Sequence, residues 1–469
     1  MDNLKLESQY KVIEPVVDYI DNVNIDPLTI YEKITSKNTF LLHSSRNSDP
    51  DGRYSYIGYN AKHVIKVYQN TVLLDDKVSK FSPLEIIDKY STNIKVKYNK
   101  KLPPFCGGLV GYYGYESNHY FETLPRHPKD DSEIPDIYFL VIENVICFDH
   151  FDNKIILISV DENFSDACLA INKMKKIIAY KNDNTKIYNS NSDAYQNVKF
   201  RSNYSKDEYI NSIKKIKEYI NNGDTFQVNL SQRLEVDTKE NPLDIYRKLI
   251  NINPVNFSSY LSLDGFQIAS GSPERLVRVT NSIVDTRPIA GTRKRGTKEK
   301  ESVYIKELMN SEKEIAEHSM LVDLERNDIG KVCEYGSVSV TKLMEIVKYS
   351  HVMHIESHIQ GKLKKQIKPS EIVGAMFPGG TITGVPKIRT MEIITELEPN
   401  VRGIYTGSIG YYSYSGNTDF NIAIRTILIK NQKAYIQVGG GIVQDANPDM
   451  EYNETLHKAR AQLSALAIS

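Results

Sequence analysis

The sequence predicts an α+β fold of antiparallel β-sheets packed together with helices outside. Segments rich in β-branched and aromatic residues, such as IYTGSIGYYSY (404–414) and DFNIAIRTILI (419–429), follow each other across a short polar break. That is how hairpins, and so antiparallel sheets, are written. Capped amphipathic helices interrupt these runs irregularly rather than after every strand, so a doubly wound parallel sheet is not expected.

In chain order, the first part is rich in strand-like segments, among them HVIKVY (63–68) and KIILISV (154–160). A stretch dense in Asn, Ser, Asp and Lys, 181–203, lacks apolar periodicity and reads as a linker. It divides the chain into a β-rich N-terminal domain, 1–190, and a second domain, 200–469. Ser205 and Glu208 form a capping box opening a helix with Ile210, Ile213, Ile216 and Ile220 on one face and a stop at Gly223. In TFQVNLSQRLEV (225–236), Phe226, Val228 and Leu230 alternate with Gln227, Asn229 and Ser231, so one face is expected to pack and the other to meet something polar. Ser311 and Glu314 open a further helix, and Asn447 with Pro448 starts a C-terminal one whose packing stripe is Tyr452, Leu456, Ala459 and Leu463.

At 469 residues the chain is too long for one ordinary core and leaves ample room for an enclosed site. Lys+Arg and Asp+Glu both number 59, so no overall field favours nucleic acid or a membrane surface. Cys106, Cys147, Cys168 and Cys333 contain no CxxC pair, which indicates neither a zinc site nor a disulfide framework and fits a reducing cytoplasm. The N-terminus MDNLKLESQYK is polar and no run of about 18 apolar residues occurs, so neither a signal peptide nor a membrane span is expected.

Several residues stand out chemically. Glu317 falls in line with Met320, Leu321 and Leu324, and a carboxylate on an apolar stripe calls for a cation, a donor or a metal. Glu451, Glu454 and Lys458 share one face of the C-terminal helix; alone, they read as a solvated ion pair. If Glu317 and Glu454 converge, they supply the one or two carboxylates that magnesium accepts. The stretches PGGTITGVPK (378–387) and VGGGIV (438–443) allow close backbone approach to an anion but match no phosphate or dinucleotide fingerprint, and each is also an ordinary turn signal. Arg425 is a charge within the apolar run NIAIRTILI and needs an anionic partner.

Taken together, GDTFQVNLSQR, SGSPERLV, RPIAGTRKRG, AEHSMLVDLERNDIGKV, YSHVMHI, FPGGTITGVPKIRTMEII, YTGSIGY, IAIRT, VGGGIV and EYNETLHKA, over roughly 205–465, resemble the chorismate-utilising enzymes. That family includes the anthranilate, aminodeoxychorismate, isochorismate and salicylate synthases. The N-terminal part resembles the two aminating members through LLHSS (41–45), GRYSYIGY (52–59) and PFCGGLVGYYGYE (104–116). The resemblance implies Mg2+ bound by Glu317 and Glu454, with Glu451 through water. It implies Lys458 and the backbone of Gly439, Gly440 and Gly441 on the ring carboxylate of chorismate, and Arg425 and Tyr405 on the enolpyruvyl carboxylate. Glu274 matches the general acid for the departing hydroxyl, His354 the motif histidine near the ring, and Thr292 a ring contact.

Water-adding members carry a lysine base at the place of Gln227, which cannot take a proton from water; ammonia needs no such base. The resemblance is therefore to an aminating large subunit supplied with ammonia by a glutamine amidotransferase, component II. LLHS, FQVNLSQR, NFSSYL and FPGGTITG are closer to aminodeoxychorismate synthase component I, whereas Ala290 in PIAGT is usual in anthranilate synthase component I. The tryptophan-binding pattern of the latter is altered around His43, Ser44, Asn253, Pro254 and Phe257, where LLHSS and NPVNFSS stand for LLES and NPSPYM. A non-catalytic chorismate-binding protein is the remaining alternative, against which the intact set Glu274, Glu317, Arg425, Glu454 and Lys458 argues.

Overall fold

A computed structural model describes residues 10–21, 25–34, 36–44, 52–99, 101–179, 194–348 and 352–467. Two twelve-stranded antiparallel sheets dominate it. One runs from Arg201–Ser202 through Gln227–Asp237, Lys433–Ile442, Thr426–Lys430, Phe266–Ser272 and Phe257–Ser262 to Thr39–His43, and on to an edge at Val16–Asp21. The other runs from Ile289–Lys294 through Val352–Lys362, Ile283–Thr286, Arg275–Thr280, Thr418–Asn421 and Ser408–Ser413 to Gly108–Tyr113, and ends at Lys77–Val78. The stretches 1–190 and 200–469 thus contribute to both sheets. Phe257–Ser262 pairs with Thr39–His43, and Ser408–Ser413 with Gly108–Tyr113.

The two-residue period of the strands explains the layers. Phe40 and Tyr56 face a core between the sheets, together with Val110, Tyr112, Leu140 and Ile268. Their neighbours Leu41 and Ile57 face outward into a second core formed with helices Phe164–Ala179, Pro242–Ile252 and Pro448–Leu466. On the other sheet Leu109 and Tyr113 do the same against Pro83–Thr92, Glu312–Gly330 and Pro369–Met376. Central strands are therefore buried on both faces, as in IYFLVI (137–142).

The expected caps form. Ser205 and Glu208 close a capping box on Lys206–Asn221, Gly223 follows with φ +82°, Ser311 accepts the Glu314 N–H, and Asn447 accepts the N–H groups of Asp449 and Met450. Two expectations are corrected. Phe226 does not share the packed face with Val228 and Leu230 but is 68% exposed, because pairing with the opposite strand begins only at Gln227. Arg425 is not inside a strand: pairing stops at Asn421 and resumes at Thr426, and Arg425 takes φ +54° in the gap. The expected linker, 181–203, lies outside the described residues as far as 193; beyond that, Ala194–Asn197 is a 3-10 turn and Arg201–Ser202 pairs with Leu234 and Glu235.

Candidate active site

A cavity of about 240 Å3 opens between the sheets, walled by Asn229, Gln437 and Gly439 from one and Glu274, Ile289 and His354 from the other. Thr381, Tyr405, Arg425 and Lys458 complete it. Six residues chosen from the sequence, Glu274, His354, Tyr405, Arg425, Gly439 and Lys458, thus converge from six separate elements.

Glu274 precedes the strand Arg275–Thr280 and is buried, with Thr381 Oγ1 donating to its Oε1 at 2.7 Å. Burial raises its carboxyl to about 7, since no charged partner offsets the loss of water and the Thr381 bond lowers it only in part. His354 donates from Nδ1 to Gly291 O at 3.2 Å. Thr292 pairs with His354 across the ladder; its side chain lies outside the described residues.

The opposite wall is cationic. Lys458 Nζ donates to Gly439 O at 3.0 Å and pairs with Glu454 at 2.8 Å, while Arg425 Nη1 donates to Lys458 O. The left-handed backbone at Arg425 makes this possible by ending the neighbouring strand's pairing, which reaches only Ile436 of Lys433–Ile442. In an antiparallel strand the N–H and C=O of one residue point to the same edge. Gly439 O reaches Lys458 on that unpaired edge, so the Gly439 N–H faces it too. Tyr405 is buried, which pushes its hydroxyl up to about 12 against the opposing pull of Arg402. Loss of water lowers Arg425 from the usual guanidinium value, with Tyr405 and Glu454 opposing.

Glycine is required at 439, where a β-carbon would sit 2.6 Å from the Leu230 carbonyl oxygen, 2.6 Å from Asn229 Oδ1 and 2.9 Å from Tyr405 Oη, whereas one at 441 would meet only the Gln227 side chain, 2.2 Å from its Nε2. Gln227 is buried beside the cavity rather than in its wall. Glu451 Oε2 and Lys458 Nζ lie over Gly440. The other glycine-rich stretch behaves differently from expectation: a β-carbon at 380 would strike Leu324, a packing constraint, and Thr381 is the group that faces the cavity.

Glu317 is half-buried on Glu312–Gly330 and outside the cavity wall, and Glu454 is half-exposed on the C-terminal helix. Among the described residues no group of three or more His, Cys, Asp or Glu side chains could hold a metal. The chain offers single hard carboxylates instead. This donor chemistry fits Mg2+, which keeps waters and substrate oxygens in its shell.

A supporting layer escaped the sequence reading. Glu398 and Arg402 form a buried ion pair at 2.7 Å, four residues apart. Arg402 also donates to Asn229 O at 2.6 Å and Ile382 O at 3.1 Å, and Glu398 accepts Ser231 N at 2.8 Å. This network fixes the loop that carries Tyr405 to the strand that carries Asn229. EPNVR lies beyond the end of Lys387–Leu397 and contains Pro399, so helical i, i+4 pairing gave almost no signal for it.

A second cavity, about 340 Å3, contains His43 and Phe257, with Asn256, Tyr56, Arg278 and Asp419. Ser44, Asn253 and Pro254 are not in its wall: Ser44 donates its N–H to Ser55 Oγ at 3.0 Å, and Asn253 Nδ2 donates to Gly271 O at 3.1 Å.

Known proteins are similar to this chain along almost its whole length. Anthranilate synthase component 1 of Acetivibrio thermocellus is 41% identical over 99% of this chain and 98% of its own. Aminodeoxychorismate synthase component 1 of Bacillus subtilis is 41% identical over 94% of each. The crystal structure of anthranilate synthase component I from Streptococcus pneumoniae superposes with a TM-score of 0.81 at 33% identity, covering 95% of this chain and 99% of that one. The family model of chorismate binding enzymes matches residues 38–464, spanning both sheets and every wall of the cavity, and the chain belongs to that family.

Proposed function

We propose that the chain aminates chorismate with ammonia to give 4-amino-4-deoxychorismate, as the large subunit of a glutamine-dependent synthase. The observation that carries this reading is the cavity itself, where a buried acid at about 7 faces a cationic wall, beside an amide where a water-activating base would stand.

Chorismate is a dicarboxylate. Arg425 and Tyr405 grip the enolpyruvyl carboxylate, and Lys458 with the backbone of Gly439 to Gly441 grips the ring carboxylate. Mg2+, held by Glu317 and Glu454 and through water by Glu451, would add charge against the ring carboxylate when bound. Glu274 delivers its proton to the hydroxyl leaving ring carbon 4, a role its raised value near neutrality suits. His354 flanks the ring, and Thr292, its partner across the ladder, matches the family's ring contact. Gln227 leaves water unactivated, so the nucleophile must be a base already.

Ammonia comes from a glutamine amidotransferase partner, component II, and the chain alone uses ammonium salts but not glutamine. Its four unpaired cysteines suit a reducing cytoplasm, and among the described residues no helix is long and apolar enough to cross a membrane. A second reading, anthranilate formation, is favoured by Ala290 and by the equal identity to anthranilate synthase. Incubation with chorismate, Mg2+ and an ammonium salt distinguishes them by mass and by pyruvate release. Aminodeoxychorismate retains the enolpyruvyl group, whereas anthranilate appears with one pyruvate. Stoichiometric pyruvate would replace the first reading by the second, and unconverted bound chorismate would indicate a binding protein.

A further inference from the structure

The strand Gln227–Asp237 presents two polar atoms that the substrate grips leave unused. Gln227 and Asn229 are 5% and 7% exposed, and neither Gln227 Oε1 nor Asn229 Oδ1 has a hydrogen-bond partner among the described residues. A carbonyl oxygen withdrawn from water without a donor is costly, so such a pair at the edge of a cavity points to a ligand that brings donors. The two are successive residues on one strand face, about 7 Å apart along the backbone. Both lie against the glycine strand, Asn229 over Gly439 and Gln227 over Gly441.

The surrounding groups narrow the ligand. Arg425, Lys458, the Tyr405 hydroxyl and the Gly439 N–H are donors, and carboxylate oxygens satisfy them. The amide oxygens require the reverse, an N–H or O–H group. They carry no charge, and the Arg402–Glu398 pair behind the strand is neutral overall, so no carboxylate there calls for a cation and a neutral donor suffices. On the amination reading above, we infer that Gln227 Oε1 and Asn229 Oδ1 seat neutral ammonia. Two of its N–H groups are bonded to the strand, and its lone pair is directed at the ring. The step balances without a further reagent. The C–N bond forms as the C–O bond breaks, the Glu274 proton leaves with the hydroxyl as water, and the proton shed by the new ammonium group restores the Glu274 acid over the turnover.

The test uses the full chain with ammonium chloride as nucleophile, varied at saturating chorismate, and chorismate binding measured separately by calorimetry. Asn229→Leu and Gln227→Leu are each expected to raise KM for ammonia about tenfold, equivalent to about 1.4 kcal/mol, with the chorismate Kd within about twofold. Asn229→Ser, smaller and still bearing an oxygen, should fall between wild type and the leucine variant, and it carries the measurement if leucine lowers the melting temperature. An unchanged KM for ammonia, or a chorismate Kd weakened in parallel with it, would overturn the seat. Failure of the wild-type chain to form any amino product from chorismate and ammonia would overturn the amination reading, and the seat with it.

Discussion

Replacing Glu274 by Gln isolates what burial does for the reaction. The amide fills the same volume and still accepts the Thr381 hydroxyl, whose 2.7 Å bond is the polar contact made by this side chain. It carries no transferable proton. At pH 7 a carboxyl with its ordinary value of 4.5 is protonated in roughly 0.3% of molecules, whereas one raised to about 7 is protonated in about half. Burial therefore enriches the competent acid roughly 150-fold, within the 10²- to 10⁴-fold range that general acids contribute. The expected loss in kcat/KM is about 10²- to 10⁴-fold, equivalent to about 2.7–5.4 kcal/mol of barrier. The assay follows turnover from pH 6 to 9 at constant free ammonia. Wild type should lose activity above about pH 7, approaching tenfold per unit, and the residual activity of Glu274→Gln should lack that limb. Chorismate binding at pH 6 should match wild type, where both side chains are largely neutral, and the melting temperature should not fall, since only the wild type loses the Glu274 proton on unfolding there. Activity within tenfold of wild type, or the same alkaline limb in the variant, would refute the role.

Three further outcomes are expected. Glu317→Gln and Glu454→Gln should each abolish the Mg2+ dependence of chorismate binding and leave the melting temperature nearly unchanged; a normal magnesium titration in both variants would remove the metal assignment. Micromolar tryptophan should leave turnover unaffected, because burial holds His43 near a value of about 3, so it is neutral, and Asp419 in the same cavity is paired with Arg275 at 3.2 Å. Strong inhibition would favour the anthranilate reading. Burial raises Glu116 and Glu325 to about 8 and Glu274 to about 7, so the folded chain keeps protons that the unfolded chain loses near 4.5. Their contribution is complete below that value and is lost as pH rises through 7 to 8. His43, His119 and His318, lowered by burial to between about 3 and 4, are neutral in both states above about 6.5 and do not oppose it there. The urea midpoint should thus fall from pH 7 to pH 9, and less so in Glu325→Gln; equal falls would refute the linkage.

Much of the site was legible because its chemistry requires residue types that local structure does not. An arginine in an apolar run and three consecutive glycines in a strand violate the patterns of their own elements, and both reach the cavity. Phe226 and Arg425 depart from their expected places for one reason. Alternation assigns faces correctly only where ladder pairing continues, and pairing ends beside each of them. Thr381 and the Glu398–Arg402 pair gave almost no signal, since their importance lies in contacts with residues more than 100 positions away.

The sequence by itself determined the α+β class and the capped helices, because these follow from short-range periodicity, whereas six of the residues around the cavity were named through resemblance to the family, with Arg425, Lys458 and the glycines also marked by their chemistry. Only the tertiary structure decided that Phe257–Ser262 would join Thr39–His43, that Ser408–Ser413 would join Gly108–Tyr113, and that Glu274 would face Lys458 across one cavity. Backbone hydrogen bonds are alike along every strand, so strand order is set by which outward and inward apolar faces fill the three cores together. That is a property of the whole chain.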